Sequence, residues 1–599
     1  MANGTPHFFD ASRFVSSSGG AEGGTVFFYY TDTTTLAPVY TDIGLTTPAN
    51  NPVNVGVGAI LPVLYLDPTI VYRRRIVFTD GSEFNEDPLP LILGSAILAS
   101  NSGADLVGYK PNLSGAVTRT VASKLSDITS VKDFGAKGDG STDDTSAIQA
   151  AINSVSGQSA ACIYFPPGVY KTTASLTVTR GQLSLKGAGL GSTVIRCATN
   201  GVDVFKIRSA VAPNTVSNIS ISEMQIDTAG FTPTSGTGLY FENVVSASIS
   251  NVSLGNHSNS LAILGCFNVV IDNCIFAHGG LPTPNGRVAI YVSKSTAPYG
   301  GTTCANIFLN NVTGTGGGTY TDSSTPGAGY GMYIDCVDGL WVDNCYFGYY
   351  DQAGVYINKA GFFMSGIKLS NVWLDHARNY GLWLNGSSGV NGAAEFNSVR
   401  IVGGLNAVYN AYITGNWADV SFNGGHAEQA NDHSIACTTT GSGISFTGFD
   451  CSAPTTRSSK TCFFFNGPSY VRLSSCTIDG GAAASTLHGA YFGQGVGHVL
   501  VGNTMKNCAI AAKIDGVVDY WTAVGNFDAT NANTFAINNN SSGSHFFISN
   551  VGGQSTGYGT PTGPVKVANF PGASATLVQC SNMIAQLVTE LKTRGILAA

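Results

Sequence analysis

Charged side chains are scarce in this chain. Asp, Glu, Lys and Arg make up 11% of its 599 residues, and the formal net charge is −7. The short basic triplet from Arg73 to Arg75 is isolated, and we interpret it as a solvated strand end rather than a nucleic-acid surface. No run of 18 apolar residues is present, so the pattern of a membrane-spanning helix is missing. We therefore expect neither a nucleic-acid partner nor membrane insertion.

A secretory signal and cysteine pairs with metal-binding spacing are also missing. The first ten residues, MANGTPHFFD, contain no basic segment followed by an apolar one. Thirteen cysteines without such a signal predict reduced thiols in a protein made in a cytoplasm. Cys274, Cys345 and Cys476 recur at one place in a repeated pattern, which is typical of small apolar core residues. We expect no metal site and no cofactor.

A repeated six-residue pattern runs through the middle of the chain. Its clearest copies are ISNVSL, IDNCIF, LNNVTG, VDNCYF and LSNVWL, centred on Asn251, Asn273, Asn311, Asn344 and Asn371. Weaker copies are centred on Ser398, Gly424, Gly448, Ser475 and Asn503. From Asn344 onward successive copies are 24 to 28 residues apart, which is the length of one coil of a parallel β-helix. The repeat therefore predicts an all-β solenoid.

The repeated Asn has a structural explanation. In stacked coils ~4.8 Å apart, each side-chain amide can bond to the amides of the coils above and below. Alternation along a strand then turns the residues two before and one after the Asn toward the interior. Two longer steps between copies predict inserted loops at 281–301 and 313–331, and loops that leave a rigid solenoid often form the walls of binding sites.

The stretch 131–170 combines a Gly-rich turn, a helical pattern and an apolar strand. Thr142 and Asp143 are natural helix N-caps, and the apolar spacing after them predicts a short helix over 143–154. We interpret the aspartates of this stretch as turn and cap residues. Together with GAGLGSTVI at 187–195, the stretch resembles the opening motif of the pectate-lyase-like family of right-handed parallel β-helices, which includes many phage tailspike depolymerases. The resemblance implies the fold and a polysaccharide substrate, but not the catalytic residues.

A different kind of module precedes the solenoid. Residues 23–84 alternate short apolar and polar runs between Pro, Asn and Gly, which predicts a small antiparallel β-domain. The succession YYT, APVYTD, ANNPV and YLDP resembles the N-terminal virion-attachment modules of phage tail fibres and tailspikes. We expect an attachment domain at 1–87, a neck at 88–130, the β-helix at 131–560 and a C-terminal element at 561–599.

The last residues of the chain change their period. Apolar residues between 574 and 599 have heptad-like spacing, so this segment is expected either to pack about a three-fold axis or to cap the last coil. The tailspike resemblance implies a homotrimer that is attached to other virion proteins. It also implies a protein that is made in the host cytoplasm and acts in the virion at the bacterial cell surface.

Residues suited to sugar chemistry concentrate in the central coils. YYDQAGVYI (349–357) and HARNYGLWL (376–384) align 27 residues apart, which places Asp351 one coil from Arg378. The candidate catalytic residues here are Asp351, Asp375, His376 and Arg378. The candidate substrate-binding residues, whose rings could stack on sugars, are Tyr349, Tyr350, Tyr380 and Trp383. Two plainer interpretations stay open, in which Asp351 and Arg378 form a surface ion pair and Trp383 points into the coil.

A second polar cluster, NGGHAEQANDH (423–433), follows one to two coils later. We expect its candidate catalytic residues, His426 and Glu428, to lie in the turn after the strand, about 10 Å or two coils from Asp375. That separation is near the upper end for inverting glycoside hydrolases, whose two carboxyl groups are roughly 6.5–9.5 Å apart. An ordinary polar turn is the alternative. The acids that we expect to be isolated are Glu223, Glu242, Asp450 and Asp479.

Two kinds of glycosidic cleavage fit these residues. Hydrolysis by a carboxylate pair is slightly favoured over β-elimination, in which Arg378 would neutralise a uronate while His376 or a tyrosine acts as the base. The expected function is a phage tailspike that binds and depolymerises a bacterial surface polysaccharide, either capsule or O-antigen. The alternatives are a polysaccharide lyase, a non-catalytic receptor-binding spike and a secreted bacterial carbohydrate enzyme.

Overall fold

The chain forms two compact units, Met1–Asp127 and Ile128–Ala599. The computed structural model describes residues 5–7, 24–55, 62–89, 102–228, 230–231, 233–277, 287–317, 329–359, 364–386, 392–404, 407–452, 461–481, 486–528, 534–537, 546–548 and 566–568. The segment predicted to trimerise or to cap the last coil, 574–599, lies outside the described residues. Of the predicted element at 561–599 only the strand Lys566–Ala568 is described.

The first unit is built from short antiparallel strands. Its larger sheet has the strand order Val53–Asn54, Thr25–Tyr30, Tyr72–Val77, Glu83–Glu86, and its smaller sheet has the order Thr5–His7, Leu64–Leu66, Val39–Tyr40. Its other elements are the 3-10 helix Gly103–Asp105, the strand pair Gly108–Tyr109 and Arg119–Thr120, and the helix Val121–Leu125. Phe28, Tyr72 and Ile76 are fully buried in its core. The prediction of a small antiparallel β-domain is confirmed.

The basic triplet lies inside a strand of this unit and not at a solvated strand end, so that expectation was wrong. Arg73 to Arg75 belong to Tyr72–Val77, and carboxylates on and after the adjacent strand pair with all three. The guanidinium of Arg74 is buried and lies 2.6 Å from the carboxylate of Glu86. The charge of the triplet is therefore matched within the unit.

The second unit opens with the amphipathic helix that the sequence predicts, although the helix covers Thr145–Ser154 and starts two residues later than expected. Its buried face consists of Ile148, Ala151 and Ile152. Asp143 accepts a hydrogen bond from the backbone N–H of Thr145 at 3.1 Å, and Asp144 accepts from two backbone N–H groups of the preceding turn. These aspartates therefore hold the turn, as predicted, but the N-cap residue of the helix is Asp144 and not Thr142 or Asp143 as we expected.

Each coil of the second unit contributes strands to three parallel sheets, which we number 1, 2 and 3 in the order in which the chain visits them. Sheets 1 and 2 adjoin at the repeated Asn position, and the elements that continue from sheet 1 into sheet 2 are Val216–Thr228, Val244–Gly255, Ala394–Gly403 and Val420–Glu428. The other strands of sheet 1 are Thr129–Ser130, Ala161–Phe165, Leu183–Gly187, Phe267–Asp272, Cys304–Asn310, Val337–Asp343, Ser365–Ser370, Ser445–Thr447, Arg472–Ser474, Val499–Val501, Thr522–Val524, Phe546–Ile548 and Lys566–Ala568. The other strands of sheet 2 are Asp139–Asp143, Gly168–Thr172, Thr193–Cys197, Ile275–Ala277, Thr313–Thr315, Tyr346–Gly348, Trp373–Ala377, Asp450–Ser452, Thr477–Asp479, Thr504–Lys506 and Phe527–Asp528.

Sheet 3 closes each coil. Its strands are Leu176–Val178, Phe205–Ile207, Thr237–Glu242, Asn259–Leu264, Val288–Ser293, Tyr330–Ile334, Ala353–Lys359, Tyr380–Gly386, Tyr409–Gly415, His433–Thr439, Thr461–Phe465, Thr486–Val496, Cys508–Asp519 and Thr534–Ile537. Every strand of this sheet pairs in parallel with a strand one coil away. The prediction of a parallel β-helix is confirmed.

The repeated Asn is the residue at which the chain turns from sheet 1 into sheet 2. In its five clear copies the backbone φ lies between 52° and 54°, which is the left-handed region that Asn tolerates better than most residues. The weaker copies have the same conformation at Ser398, Gly424, Gly448, Ser475 and Gly502. The last copy is therefore centred on Gly502 and not on Asn503 as we expected.

The Asn side chains form the predicted ladder in part. Asn273 donates to the side-chain oxygen of Asn251, and Asn311 donates to that of Asn273 at 2.9 Å. In the next coil Asn344 donates to its neighbour Asp343 at 3.0 Å and to the side-chain oxygen of Asn310, one coil back, at 3.5 Å. Asn371 donates across one coil to the carboxylate of Asp343 at 3.4 Å, so the stacking continues with other side chains as acceptors.

The interior of the solenoid contains the residues that flank the repeated position. The residues two before it (Ile249, Ile271, Leu309, Val342, Leu369) and one after it (Val252, Cys274, Val312, Cys345, Val372) are all buried. Cys476 is buried in the same way, and the twelve described cysteines are all free thiols. Asn503 occupies this inward position in a later coil, where its amide donates to the side-chain oxygen of Asn526 at 2.8 Å.

The two predicted insertions turn out to be partly regular. The segment 281–301 contains the sheet 3 strand Val288–Ser293, and the segment 313–331 contains the sheet 2 strand Thr313–Thr315. Residues 278–286 and 318–328 lie outside the described part of the chain. Within the described part, no helix is both long enough and apolar enough to cross a membrane.

The left-handed turn predicts how substitutions at Asn311 behave. Asn311→Val should destabilise the solenoid by about 1–2 kcal/mol, because a β-branched residue is forced into left-handed backbone. Asn311→Gly removes the same amide hydrogen bond, but glycine adopts the left-handed conformation without strain. Its loss of unfolding free energy should therefore be smaller than that of Asn311→Val. Thermal unfolding of the two variants measures the difference, and equal melting temperatures would contradict the backbone explanation.

Candidate functional site

Two of the predicted acids lie in one column on the outer face of sheet 2. Asp375 is in register with Val402 on the next coil, and Val402 is in register with Glu428 on the coil after that. Two steps of ~4.8 Å separate the two acidic residues by about 10 Å, as predicted. Glu428 and His426 belong to the strand Val420–Glu428, and the expectation that they lie in the turn after it was wrong.

Asp375 is held by two neighbouring side chains. It is 6% exposed, accepts a hydrogen bond from the Tyr346 hydroxyl at 2.9 Å, and its other carboxylate oxygen contacts Nδ1 of His376. Burial and the bond to Asp375 raise the pKa of Tyr346, so this hydroxyl stays protonated and donates. The ring of His376 stacks on that of Tyr349 with 5.4 Å between their centroids. The Asp375 carboxylate and the His376 imidazole therefore form an oriented pair.

Glu428 is kept ionised by its neighbours. Burial favours the neutral acid, but hydrogen bonds from Arg400 at 3.0 Å and from His426, whose Nε2 lies 3.2 Å away, outweigh it and lower the pKa of Glu428. A carboxylate in this state can accept a proton from a bound water or hydroxyl.

An exposed tryptophan lies in the neighbouring column of outward residues, on the same strand as Asp375. Trp373 is 41% exposed, is in register with Tyr346 on one side and Arg400 on the other, and has the Arg400 guanidinium 4.8 Å from its ring centroid. An indole presented in this way beside polar groups suits the apolar face of a sugar ring. Trp373 was not among the predicted site residues.

A simple periodicity explains which side chains reach this face. The residues two and four positions after the left-handed residue point outward. Side chains along a strand point alternately inward and outward, and this alternation starts again after each left-handed turn. Outward residues at the second position include Tyr346, Trp373, Arg400, His426 and Asp450, and those at the fourth position include Asp375, Glu428 and Asp479. The sequence contained the signal for Trp373 in the copy LSNVWL.

Asp351 and Arg378 lie at the corner between sheets 2 and 3. The Arg378 guanidinium donates to the Asp351 carboxylate at 3.0 Å across one coil, and Asn379 donates to the side chain of Gln352 at 3.1 Å in parallel. The spacing of one coil is as predicted. The contact between Asp351 and Arg378 is an ion pair, which was the alternative to a catalytic role.

The four predicted aromatic residues are in three different places. Tyr350 is 1% exposed, inside the solenoid, and the expectation that it contacts substrate was wrong. Tyr349 lies against His376, next to the acids of sheet 2. Tyr380 and Trp383 are half-buried on the outer face of sheet 3, so Trp383 does not point into the coil.

Tyr380 and Trp383 belong to a larger group of rings on sheet 3, which we call the aromatic face. Its members are Tyr291, Tyr330, Tyr333, Tyr356, Tyr380, Trp383, Tyr409 and Tyr412. Ring centroids of successive coils are close, with 4.3 Å between Tyr356 and Trp383 and 5.6 Å between Tyr380 and Tyr412. The face runs parallel to the axis of the solenoid.

Three of the acids that we expected to be isolated have partners. Glu223 accepts a hydrogen bond from the side-chain amide of Asn251 at 2.7 Å. Glu242 is fully buried and accepts hydrogen bonds from the Thr296 backbone at 2.9 Å and from the Tyr240 hydroxyl at 3.0 Å. The carboxylate of Asp479 lies 3.0 Å from the ammonium of Lys506. In the described part of the chain, no group of three or more His, Cys, Asp or Glu side chains is arranged to hold a metal ion.

Comparison with known proteins identifies the solenoid. Residues 128–374, less than half of the chain, match the family model of rhamnogalacturonase A/epimerase, pectate lyase-like, in agreement with the resemblance found in the sequence. Among curated relatives, the mannuronan C5-epimerase AlgE3 of Azotobacter vinelandii is 38% identical over 105 residues, which are 16% of this chain and 6% of that protein. Alginate lyase 7 of the same organism is 41% identical over 105 residues, 16% of this chain and 12% of that protein.

Phage proteins are similar to this chain both in sequence and in structure. The tail spike protein of an Escherichia phage is 48% identical over 52 residues, 9% of this chain and 6% of that protein. The solved tailspike protein 3 of bacteriophage CBA120 has 15% identity and a TM-score of 0.47, with 80% of this chain and 71% of that chain covered. The tailspike of Escherichia coli bacteriophage HK620, solved with a pentasaccharide, has 14% identity and a TM-score of 0.47, with 76% and 84% covered. The matched stretches span no more than 12% of these three curated relatives.

Proposed function

We propose that this protein is a phage tailspike that binds a bacterial surface polysaccharide, capsule or O-antigen, and cleaves it by hydrolysis on sheet 2. The observation that carries the proposal is the pair of acids in one column, Asp375 and Glu428, whose backbone positions are two coils or about 10 Å apart, with the exposed ring of Trp373 beside Asp375 on the same strand. A backbone separation of this order is compatible with the roughly 6.5–9.5 Å between the two carboxyl groups of inverting hydrolases, which admits a water beside a bound sugar.

Each group then has a definite role. Glu428, whose pKa is held low, takes a proton from the attacking water. The hydrogen-bonded pair of Asp375 and His376 supplies the proton to the leaving sugar oxygen. Trp373 carries the apolar face of the sugar ring, and Tyr349 holds the ring of His376 in place.

β-Elimination is the second candidate reaction, and the names of the alginate lyase and the C5-epimerases among the relatives favour it. It needs a cation for the uronate carboxylate and a base, for which Arg378 and His376 are available. Arg378 and Arg400 each already pair with a carboxylate of this chain at 3.0 Å, which offsets part of the positive charge that a uronate would meet. Hydrolysis is therefore favoured.

The proposed tailspike is attached to the virion and contains three copies of the chain. Residues 1–87 attach the spike to other virion proteins, and three copies form the spike. The protein is made in the host cytoplasm and acts at the surface of the next cell. A receptor-binding spike without catalysis would have the same architecture. An assay for cleavage of the polysaccharide distinguishes such a spike from an enzyme.

The deciding measurement uses the full chain and purified surface polysaccharide from a strain to which the protein binds. Hydrolysis produces new reducing ends and shorter chains without the ultraviolet absorbance of an unsaturated uronate. Reducing ends together with that absorbance would identify a lyase. Binding without shortening of the polymer would identify a non-catalytic spike.

The ionisation of Glu428 predicts a pH effect. The ionised form is the working base, so activity is lost as the pH falls through its pKa. Arg400→Gln removes a hydrogen bond that favours the ionised form, which raises that pKa and moves the acid limb of the pH–rate profile to higher pH. Lys368→Gln, which removes a cation that pairs with Glu395 on sheet 1, is the control and should leave the limb in place. An unchanged limb in the Arg400 variant would contradict the assigned role of Glu428.

A further inference from the structure

The side chain of Tyr346 crosses from one column of outward residues to the next. Its backbone is in register with Trp373 on the following coil, so Tyr346 belongs to the column of Trp373. Gly348, two positions later on the same strand, is in register with Asp375 and belongs to the column of the two acids. The hydroxyl of Tyr346 nevertheless donates to the Asp375 carboxylate at 2.9 Å. The tyrosine ring therefore lies across the position of Gly348.

Gly348 provides the space that this ring occupies. A Cβ added at Gly348 would overlap the hydroxyl oxygen of Tyr346 and would lie 2.7 Å from Cζ of its ring. The backbone of Gly348 is not in the left-handed region, so the glycine is required for space and not for its conformation. The atoms that a Cβ would meet form the outer end of a side chain, which can swing away without unfolding the coil. A larger residue would therefore displace the hydroxyl and keep the fold.

Each carboxylate oxygen of Asp375 is engaged by a different side chain. Oδ2 accepts the hydrogen bond from Tyr346, and Oδ1 contacts Nδ1 of His376. The raised pKa of Tyr346 keeps the hydroxyl proton in place for this bond. Because a carboxylate is planar, fixing Oδ2 also fixes the direction in which Oδ1 meets the imidazole. The ring of Tyr346 is itself held edge to face against Trp373, with 5.6 Å between the centroids.

We propose that Tyr346 and Gly348 are positioning residues, in which the tyrosine holds Asp375 in the orientation that delivers a proton through His376 and the glycine leaves room for the tyrosine. The inference rests on the proposed function for the reaction that Asp375 and His376 perform. The orientation of the carboxylate is a separate claim, and it can be measured without a substrate.

Two single variants of the full chain test the positioning role. Tyr346→Phe removes the hydroxyl and keeps the ring, whereas Gly348→Ala keeps the hydroxyl and displaces it. Each should lower kcat for depolymerisation about 10–100-fold, because a small misplacement of a proton-transferring group has a large effect on rate. Tyr346→Phe should leave KM unchanged within about twofold, since Trp373 still meets the sugar. Tyr164→Phe, on the outer face of sheet 1, is the control and should leave both constants unchanged.

The double variant tests whether the glycine acts through the tyrosine. Once Tyr346→Phe has removed the hydroxyl, adding Gly348→Ala has no hydroxyl left to displace. The kcat of the double variant should therefore lie within about threefold of that of the slower single variant. Losses that multiply would show that the two residues act independently and would overturn the link between them. A kcat of Tyr346→Phe equal to that of the natural protein would overturn the positioning role while hydrolysis stands.

Crystal structures of the two single variants separate this inference from the proposed function, because they need no substrate. In both variants the Asp375 carboxylate should rotate, and Oδ1 should lose its contact with Nδ1 of His376. An unchanged carboxylate in Tyr346→Phe overturns the inference whether or not the protein is an enzyme. If the natural protein cleaves no polysaccharide, hydrolysis fails, and the two structures still decide whether Tyr346 and Gly348 orient Asp375.

Discussion

Asp375→Asn and Glu428→Gln should each lower the rate of depolymerisation about 10²–10⁴-fold, the usual contribution of a positioned acid or base. Each change keeps the size of the side chain and removes its ability to exchange a proton. The two variants should still bind polysaccharide, because Trp373 is untouched. Initial rates of reducing-end formation on one polysaccharide measure the effect.

The same column provides a matched control. Asp479 lies two coils beyond Glu428, in register with Ser452 on the coil between them, and pairs with Lys506. Asp479→Asn should leave the rate unchanged within about twofold, since surface ion pairs contribute little. Asp351→Asn tests the corner acid and should have a smaller effect than either site variant. Full activity of the Asp375 and Glu428 variants would refute the site while leaving the fold intact.

Gly415→Ala should be strongly destabilising, because it combines a left-handed backbone with a backbone clash. Gly415 has a φ of 78°, and a Cβ added there would overlap the carbonyl oxygen of Gly386 one coil away. Relief requires the two strands to separate, so we expect a loss of roughly 3 kcal/mol or more, at the upper end of overpacking costs. Thermal unfolding and protease resistance of the full chain measure the loss.

Gly448→Ala is the control for backbone strain alone. Its φ is 60°, and a Cβ there would meet no atom within 4 Å. The expected cost is about 1–2 kcal/mol, from the left-handed conformation without a clash. If Gly415→Ala and Gly448→Ala unfold at the same temperature, the close approach of the coils at Gly415 is not the cause of the destabilisation in Gly415→Ala.

The repeat was sufficient to predict the solenoid, because one residue in each coil has a strict conformational requirement. A left-handed turn favours Asn or Gly, and the flanking positions must be apolar to fill the interior. The error at Asn503 has the same origin. The preceding Gly502 meets the left-handed requirement, and Asn503 could move inside because Asn526 satisfies its amide.

The site could be predicted only in part, because turns reset the alternation of side chains. Tyr349 has a φ of 64°, and the residue after it, Tyr350, points into the interior although it lies beside polar residues in the sequence. Trp373 was missed because the turns were expected to carry the chemistry, whereas the proposed site uses the outward positions of sheet 2. The spacing between Asp375 and Glu428 was predicted correctly, since it depends only on counting coils.

One measurement tests the sheet 2 site most directly: a crystal structure of the Glu428→Gln variant with an oligosaccharide of the polymer that the natural protein cleaves. We expect a sugar ring on Trp373, with a glycosidic oxygen next to the pair of Asp375 and His376 and a water beside residue 428. An oligosaccharide bound only at the corner formed by Asp351 and Arg378, or away from sheet 2 altogether, would contradict it.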